Sequence, residues 1–281
     1  MKGLSVVIPS LGEKKINKTL NSIFNSSIKP DEIILVLPSN KKSEINNKYN
    51  VKVFYSKVAN QVAQRIIGFE NCKYDYVIQL DDDIYLDNNC IKILLDFIKS
   101  QNKKTAAGPS LLNERNKQSV WMTDKIFKYK FFVNLLFYII NGKSGYVPGK
   151  ISKAGLNMGF KDFKTASTPY EVDWLSGGCM IHKKNNLLLK NYYPYSGKSF
   201  AEDIIHCKKL KEKNTHLYHL PIAKCLHYET NKKTIYYKLI DIYKNFKTLK
   251  KINNNSFFDN IRLFIGTILY FMLLFFSRIF K

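Results

Sequence analysis

Cysteine is sparse in this chain and carries no pairing pattern. The five thiols (Cys72, Cys90, Cys179, Cys207 and Cys225) are odd in number and widely scattered, and no C-x-x-C occurs. That excludes a disulfide scaffold and a cysteine-based zinc site. Acidic residues are also few, 22 against 45 Lys+Arg, for a formal charge of +23. No secretory h-region follows Met1-Lys2-Gly3-Leu4, which runs straight into a strand-like segment, so the expectation is a chain kept in a reducing cytosol. Internal repeats, long flexible linkers and nucleic-acid reader motifs are all missing, and nucleic acid is therefore not an expected partner. What the chain does have is 45% apolar and 14% aromatic residues in 281 positions, enough for a packed core in one large or two small domains.

The excess charge is uneven. Residues 1–110 carry a net +5, residues 111–230 a net +10, and the last 51 residues a net +8. In that last stretch Lys232, Lys233, Lys238, Lys244, Lys247, Lys250 and Lys251 precede Leu263 to Ser277, a run without a charged residue. As a helix the run is ~22 Å long, short of a hydrocarbon core of ~30 Å. Arg262 and Arg278 to Lys281 flank it and can snorkel. The expectation is a peripheral or shallow anchor lying on an anionic membrane surface, at its cytoplasmic face. A buried C-terminal helix or a dimer contact is the other use of such a run, and an AT-rich genome would also raise the lysine content.

The first 110 residues alternate strand and helix signals. Leu4–Ile8, Glu32–Leu37, Val51–Tyr55 and Tyr76–Leu80 are short β-branched or apolar runs closed by turn residues. Between them, Ile16, Leu20, Ile23 and Phe24, then Val62, Ile66 and Phe69, recur at helical spacing, and Asn89 to Lys99 is a further helix. Continuous apolar strands separated by helices predict βαβ units and an α/β fold with a mostly parallel sheet flanked by helices. Regularity lapses over 110–170, where Phe131–Ile140 is an apolar run bracketed by Lys128, Lys130 and Lys143, read as core with a membrane-facing patch as the alternative. It returns at Val172–Leu175, Ala201–Lys213 and His216–Leu220.

Asp81-Asp82-Asp83 follows the fourth strand directly. Ligands of open α/β sheets bind outside the carboxyl ends of the strands. In an extended segment alternate residues point the same way, so Asp81 and Asp83 can share one target while Asp82 faces elsewhere. A nucleoside diphosphate with Mg²⁺ or Mn²⁺ suits such a site; a solvated turn has the same composition.

Several segments together resemble the family 2 glycosyltransferases, inverting enzymes of the GT-A (nucleotide-diphospho-sugar transferase) fold. In order they are Val6-Val7-Ile8-Pro9, Pro30 to Val36, Ala63-Gln64-Arg65-Ile66-Ile67-Gly68, Tyr76 to Asp83 with its D-x-D, Trp174 to Met180, and Ala201-Glu202-Asp203. The resemblance spans 1–230 and implies a glycosyltransferase domain there, with a nucleotide-binding half at 1–110, an acceptor half at 111–230, and a basic, apolar membrane-association segment at 231–281. It implies transfer of a sugar from a nucleotide-sugar donor to a glycan or lipid-linked acceptor, in bacterial surface polysaccharide, lipooligosaccharide or cell-wall assembly. Asp203 is the implied catalytic base with Glu202 beside it, although carboxylates in a helix's first turn are also favoured by its dipole. Pro9, Ser39, Asn40, Arg65, Asp81, Asp82, Gly177 and Gly178 are implied on the donor side, Trp174 on the acceptor side, and Asp81, Asp83 and His227 on the metal. A histidine bonded to a nearby carbonyl and a buried tryptophan are the plainer uses of His227 and Trp174. Two features depart from the family pattern. Leu37-Pro38-Ser39-Asn40 lacks its acidic residues, and Ile66 stands where it has Asn. The alternatives are a sugar nucleotidyltransferase, for which the glycine-rich basic loop is missing after the first strand, and a non-catalytic membrane-surface scaffold.

Overall fold

A computed structural model of the protein describes residues 1–42, 44–46, 49–121, 130–193, 199–228, 235–252 and 255–279. The chain divides into two compact units, Met1–Val120 with Phe163–Glu229, and Trp121–Asp162 with Thr230–Lys281. The segment 121–162, expected in the acceptor half, therefore belongs with the C-terminal helices.

The first unit is built on one sheet. Among the described residues it holds nine strands: β1 (Leu4–Pro9), β2 (Glu32–Pro38), β3 (Lys52–Ser56), β4 (Tyr76–Leu80), β5 (Ile84–Leu86), β6 (Thr105–Asn113), β7 (Tyr170–Val172), β8 (Cys179–Lys183) and β9 (His216–His227). Their order is β3-β2-β1-β4-β8-β6-β9-β5, with β7 also on β9. The β3-β2-β1-β4 half is parallel. Both β1 and β2 are buried along their whole length, which explains why they read as unbroken apolar runs. Strand β8 then inserts antiparallel between β4 and β6.

Helices α1 (Ile16–Phe24), α2 (Gln61–Glu70), α3 (Cys90–Ser100) and α5 (Glu202–Glu212) pack against this sheet. Their periodic residues Ile16, Leu20, Ile23, Val62, Ile66 and Phe69 are buried as spaced. Helix α2 starts where Asn60 accepts hydrogen bonds from the backbone N–H groups of Val62 and Ala63, at 3.0 and 3.1 Å. All five cysteines are free and buried in this unit.

Two features of the sheet position the site. The chain leaves β1 toward β2 and leaves β4 on the other side, so the crevice outside β1 and β4 is a topological switch point, flanked by Ser10 and Asp81. The register of β6 with β9 shifts between Pro109 and Ser110, where proline cannot donate to the ladder. Beyond the shift β9 pairs with β5, opposing His227 to Ile84. That returns the end of β9 to the aspartate triplet.

The second unit contains α4 (Lys130–Asn141), α6 (Ile235–Ile252) and α7 (Phe257–Ile279). A Cβ on Gly266 would lie 2.8 Å from Leu156 and 2.9 Å from Ile140, so glycine lets α7 approach α4 and the 142–162 loop. Among the described residues no helix is long and apolar enough to cross a membrane. Lys128, Lys232, Lys233, Phe280 and Lys281 lie outside the described residues.

At Gly68 α2 lies tight against the sheet: an added Cβ would sit 2.3 Å from Val7 Cγ1 and 3.3 Å from Val36 Cγ2. Val7 is fully buried and β-branched, so it cannot swing aside. Gly68→Ala is expected to destabilise the protein by ~1–3 kcal/mol despite the better helix propensity of alanine. Urea unfolding of the two proteins checks this, and an equal or higher midpoint would refute the packing account.

Candidate active site

The site is assembled around α2. Its residues Gln61, Gln64 and Arg65 point at the carboxyl ends of β1, β2 and β4. Gln64 donates to the carbonyls of Ser10 and Val36, at 2.8 and 2.6 Å, and closes the gap between β1 and β2. Arg65 is 1% exposed. Its Nη1 donates to Glu202 Oε1 at 2.6 Å, and its Nη2 to Asp81 Oδ1 at 2.8 Å and to the Gly177 carbonyl at 3.0 Å. One guanidinium thus ties the end of β4, the loop before β8 and the start of α5. A Cβ on Gly177 would fall 2.6 Å from Glu202 Oε1, so glycine is required there for the pair to form.

The three adjacent aspartates occupy three different environments. Asp81 Oδ1 also accepts from Gln61 Nε2 at 2.7 Å, and burial pushes its carboxyl up to about 6 against the opposing pull of Arg65. Asp82 turns into the fold: it accepts from Ser10 Oγ at 2.5 Å, and Lys15 Nζ lies 3.3 Å from its other oxygen. It is therefore a brace and not a donor-binding group. Asp83 lies 3.6 Å from His227 Nε2, both side chains about a third exposed. Asp83 and His227 are thus adjacent, whereas Asp81 is engaged by Arg65 and Gln61. Among the described residues no group of three or more His, Cys, Asp or Glu is arranged to hold a metal ion.

At the start of α5, Ala201 adopts a left-handed conformation with φ 52° and ψ 24°, unusual for a residue with a Cβ. The two carboxylates that follow it part company. Glu202 is buried, with Arg65 on Oε1 and the Tyr192 hydroxyl on Oε2 at 3.2 Å, so both of its oxygens are engaged within the fold. Asp203 is partly exposed and accepts from the Gly177 N–H at 3.3 Å. Burial, and then the neighbouring Glu202, raise its carboxyl from 3.8 to about 7.

Behind Glu202 stands a column of uncharged rings. Tyr192 stacks on His206 with centroids 5.2 Å apart, and His206 on His182 at 5.6 Å. Burial drives His206 down to about 3 and His182 well below its usual range, so both are neutral beside Arg65. His182 meets Gln79, which also donates to the Gly177 carbonyl at 3.0 Å.

Other expected positions resolve differently. Trp174 is 0% exposed, so it belongs to the core and cannot stack on an acceptor sugar. Arg65 is too enclosed to touch a diphosphate and acts through Asp81 and Glu202. Pro9 is buried at the end of β1, Ser39 and Asn40 are exposed after β2, and Gly178 accepts the Asp81 N–H at 2.9 Å. Gln61, Tyr192 and the two histidines escaped the sequence reading, because polar residues scattered over two helices, a loop and a strand carry no shared pattern. A groove of about 630 Å³ between α1 and β5, lined by Lys18, Asn21, Tyr85 and Glu114 among others, contains none of the expected site residues.

A 3-2-1-4 parallel half, an inserted antiparallel strand and acidic residues at the switch point define the GT-A class of fold. The chain belongs to glycosyl transferase family 2, whose sequence model matches residues 5–159, more than half of the chain. Asp203 and His227 lie beyond that match. No curated protein sequence matches the chain. Among solved structures it is similar to GalNAc-T7 crystallised with UDP, GalNAc and Mn²⁺, with a TM-score of 0.56 and 18% identity over 95% of this chain and 57% of that one. It is also similar to S. aureus TarS residues 1–349 (TM-score 0.51, 18% identity, 89% of this chain and 64% of that one). A longer TarS structure gives a TM-score of 0.51 at 16% identity, covering 94% of this chain and 41% of that one. The chain thus spans less than two thirds of each of these proteins, and at such identities the likeness is one of fold.

Removing Arg65 alone would leave Glu202 buried and unpaired. Arg65→Met is expected to cost ~3–5 kcal/mol, and the double variant Arg65→Met/Glu202→Gln markedly less, since the orphaned charge is gone. Denaturant melts of the two single variants and the double variant test this; strictly additive losses would show that the pair is not coupled.

Proposed function

We propose that the protein is an inverting glycosyltransferase that moves a sugar from a nucleoside-diphosphate donor to a hydroxyl of a glycan or lipid-linked acceptor, with Asp203 as the general base. The observation that carries this reading is Asp203 itself: a partly exposed carboxyl, oriented by the Gly177 N–H, with a proton affinity near neutrality. A base of that strength is matched to deprotonating a hydroxyl as it attacks. The acceptor oxygen forms a bond to the anomeric carbon on the face opposite the leaving group. The bond from that carbon to the diphosphate oxygen breaks, its electron pair departs with the nucleoside diphosphate, and the acceptor proton passes to Asp203. A single displacement inverts the anomeric centre and needs no protein nucleophile.

Membership of family 2 supports the reaction class, and the GT-A neighbour solved with UDP, GalNAc and Mn²⁺ supports a nucleotide donor and a divalent cation. Asp83 and His227 fit such an ion: one carboxylate and one imidazole, adjacent and open to solvent, leave positions for phosphate oxygens. A cation held there would neutralise charge growing on the departing diphosphate. Surface-polysaccharide, lipooligosaccharide or cell-wall assembly is the process such a transfer suits.

Because Asp203 must be ionised, nucleoside diphosphate release, followed as kcat/KM on a panel of sugar nucleotides, is expected to rise with pH to a plateau with its midpoint near pH 7. Asp203→Asn should lower kcat by ~10²–10⁴-fold with donor binding retained. The same change should raise Tm at pH 8. A carboxyl whose folded pKa lies above its unfolded value contributes stability in acid that is lost as pH rises through about 7, and Asn has no charge to desolvate. A fully active Asp203→Asn variant would refute the role. Asp83→Ala and His227→Ala should each raise the Mn²⁺ concentration for half-maximal turnover by ~10-fold or more. An unchanged Mn²⁺ titration in both would remove them from the metal.

A further inference from the structure

The second unit carries an exposed apolar surface that the reaction does not use. On α4, Phe131, Leu135 and Tyr138 are exposed at spacings of four and three, while Leu136, Phe137 and Ile140 on the other side are buried. On α7 the same spacing runs through Phe257, Ile261, Phe264, Ile268 and Met272, all exposed, a stripe ~22 Å long. Phe131 and Phe257 are each 74% exposed. The two helices pack side by side at Gly266, where the absence of a side chain admits Ile140 and Leu156. Apolar residues from two segments more than a hundred positions apart in sequence therefore belong to one helical body, and scattered single hydrophobics do not have this regularity.

The charge of the same unit identifies the occupant. Its residues hold 17 Lys+Arg against four Asp+Glu, whereas the sheet unit holds 28 against 18. On α6, which packs on α7, Lys244, Lys247, Lys250 and Lys251 are exposed. Large apolar side chains flanked by lysines suit neither water nor an acidic protein alone. They suit the boundary of an anionic bilayer, where rings reach the acyl region and ammonium groups meet headgroup phosphates. No described helix is long and apolar enough to cross, so the arrangement is that of a helix pair lying in the interface.

We infer that α4 and α7 together form an in-plane docking face for an anionic phospholipid surface, with the α6 lysines supplying the electrostatic attraction. This goes beyond the proposed reaction and stands without it. It also differs from anchoring by the tail alone, because α4 shares the load.

Sedimentation of the full chain with vesicles of equal parts phosphatidylcholine and phosphatidylglycerol, and with phosphatidylcholine alone, tests the inference. The protein is expected to pellet with the mixed vesicles, to bind the neutral ones at least ~10-fold more weakly, and to be released by added salt. Leu135→Asp on α4 and Phe257→Asp on α7 should each weaken binding by ~10-fold or more, with an unchanged circular dichroism spectrum because both side chains are exposed. Lys247→Glu/Lys251→Glu should abolish the preference for phosphatidylglycerol. Failure to pellet with mixed vesicles would overturn the inference. Binding by Leu135→Asp equal to that of the unaltered chain would remove α4 from the face and overturn it as well. A dimer seen by light scattering, dissolved by Leu135→Asp and accompanied by no vesicle binding, would show that a second copy covers the surface instead.

Discussion

Arg65 brings a full positive charge into the buried interior of the sheet unit, and the rest of the site follows from how that charge is met. Two carboxylates and a carbonyl converge on it from β4, α5 and the loop between them, so ordering the guanidinium orders all three. Without it, Asp81, Glu202 and Asp203 would be three carboxyls with no cation among them. With it, Glu202 is engaged and enclosed and Asp81 is steadied, while burial and the neighbouring Glu202 raise the proton affinity of Asp203 against the opposing pull of Arg65. The neutral Tyr192, His206 and His182 rings behind the pair keep the region free of a second cation that would compete. The price of burying an ion pair is high in general, and here it leaves Glu202 enclosed by Arg65 and Tyr192 while Asp203 stays partly exposed.

The same logic separates the aspartates of the triplet. Identical side chains one residue apart become a brace for Ser10 and Lys15, a partner of Arg65 and Gln61, and an open neighbour of His227. The triplet is not the extended segment expected but a turn, closed by the Ile84 N–H on the Asp81 carbonyl at 3.2 Å, which sends Asp82 away from the other two, and the pairing of Ile84 with His227 brings His227 to Asp83. Composition at a strand end is therefore not enough to assign a ligand; the surrounding strands decide which oxygen faces outward.

Much of this was legible in the sequence. Strands β1, β2 and β4 and helices α1 and α2 announce themselves because burial there is periodic or continuous, and local periodicity survives in any one chain. The place of the aspartate triplet at a strand end was legible in the sequence, while Asp203 and His227 were candidates by resemblance to a family alone. The partners of Arg65 were not legible, because Glu202 is 137 residues distant and nothing local marks the pair. Trp174 could not be assigned to core or surface from its identity, since a large ring serves either use. In α4 the difficulty was of another kind: its run is apolar all round, so spacing alone does not distinguish the face that packs from the face that stays exposed.

The buried cysteines have a use outside chemistry. Cys72, Cys90, Cys179, Cys207 and Cys225 are spread over the loop after α2, α3, β8, α5 and β9, and burial raises the Cys72 thiol to about 12. Such thiols are inert to alkylating reagents while enclosed and ordinary once released. Each one is a silent marker on a different element of the sheet unit. The order in which they become reactive records which part of that unit opens first and which opens only when the whole unit is lost.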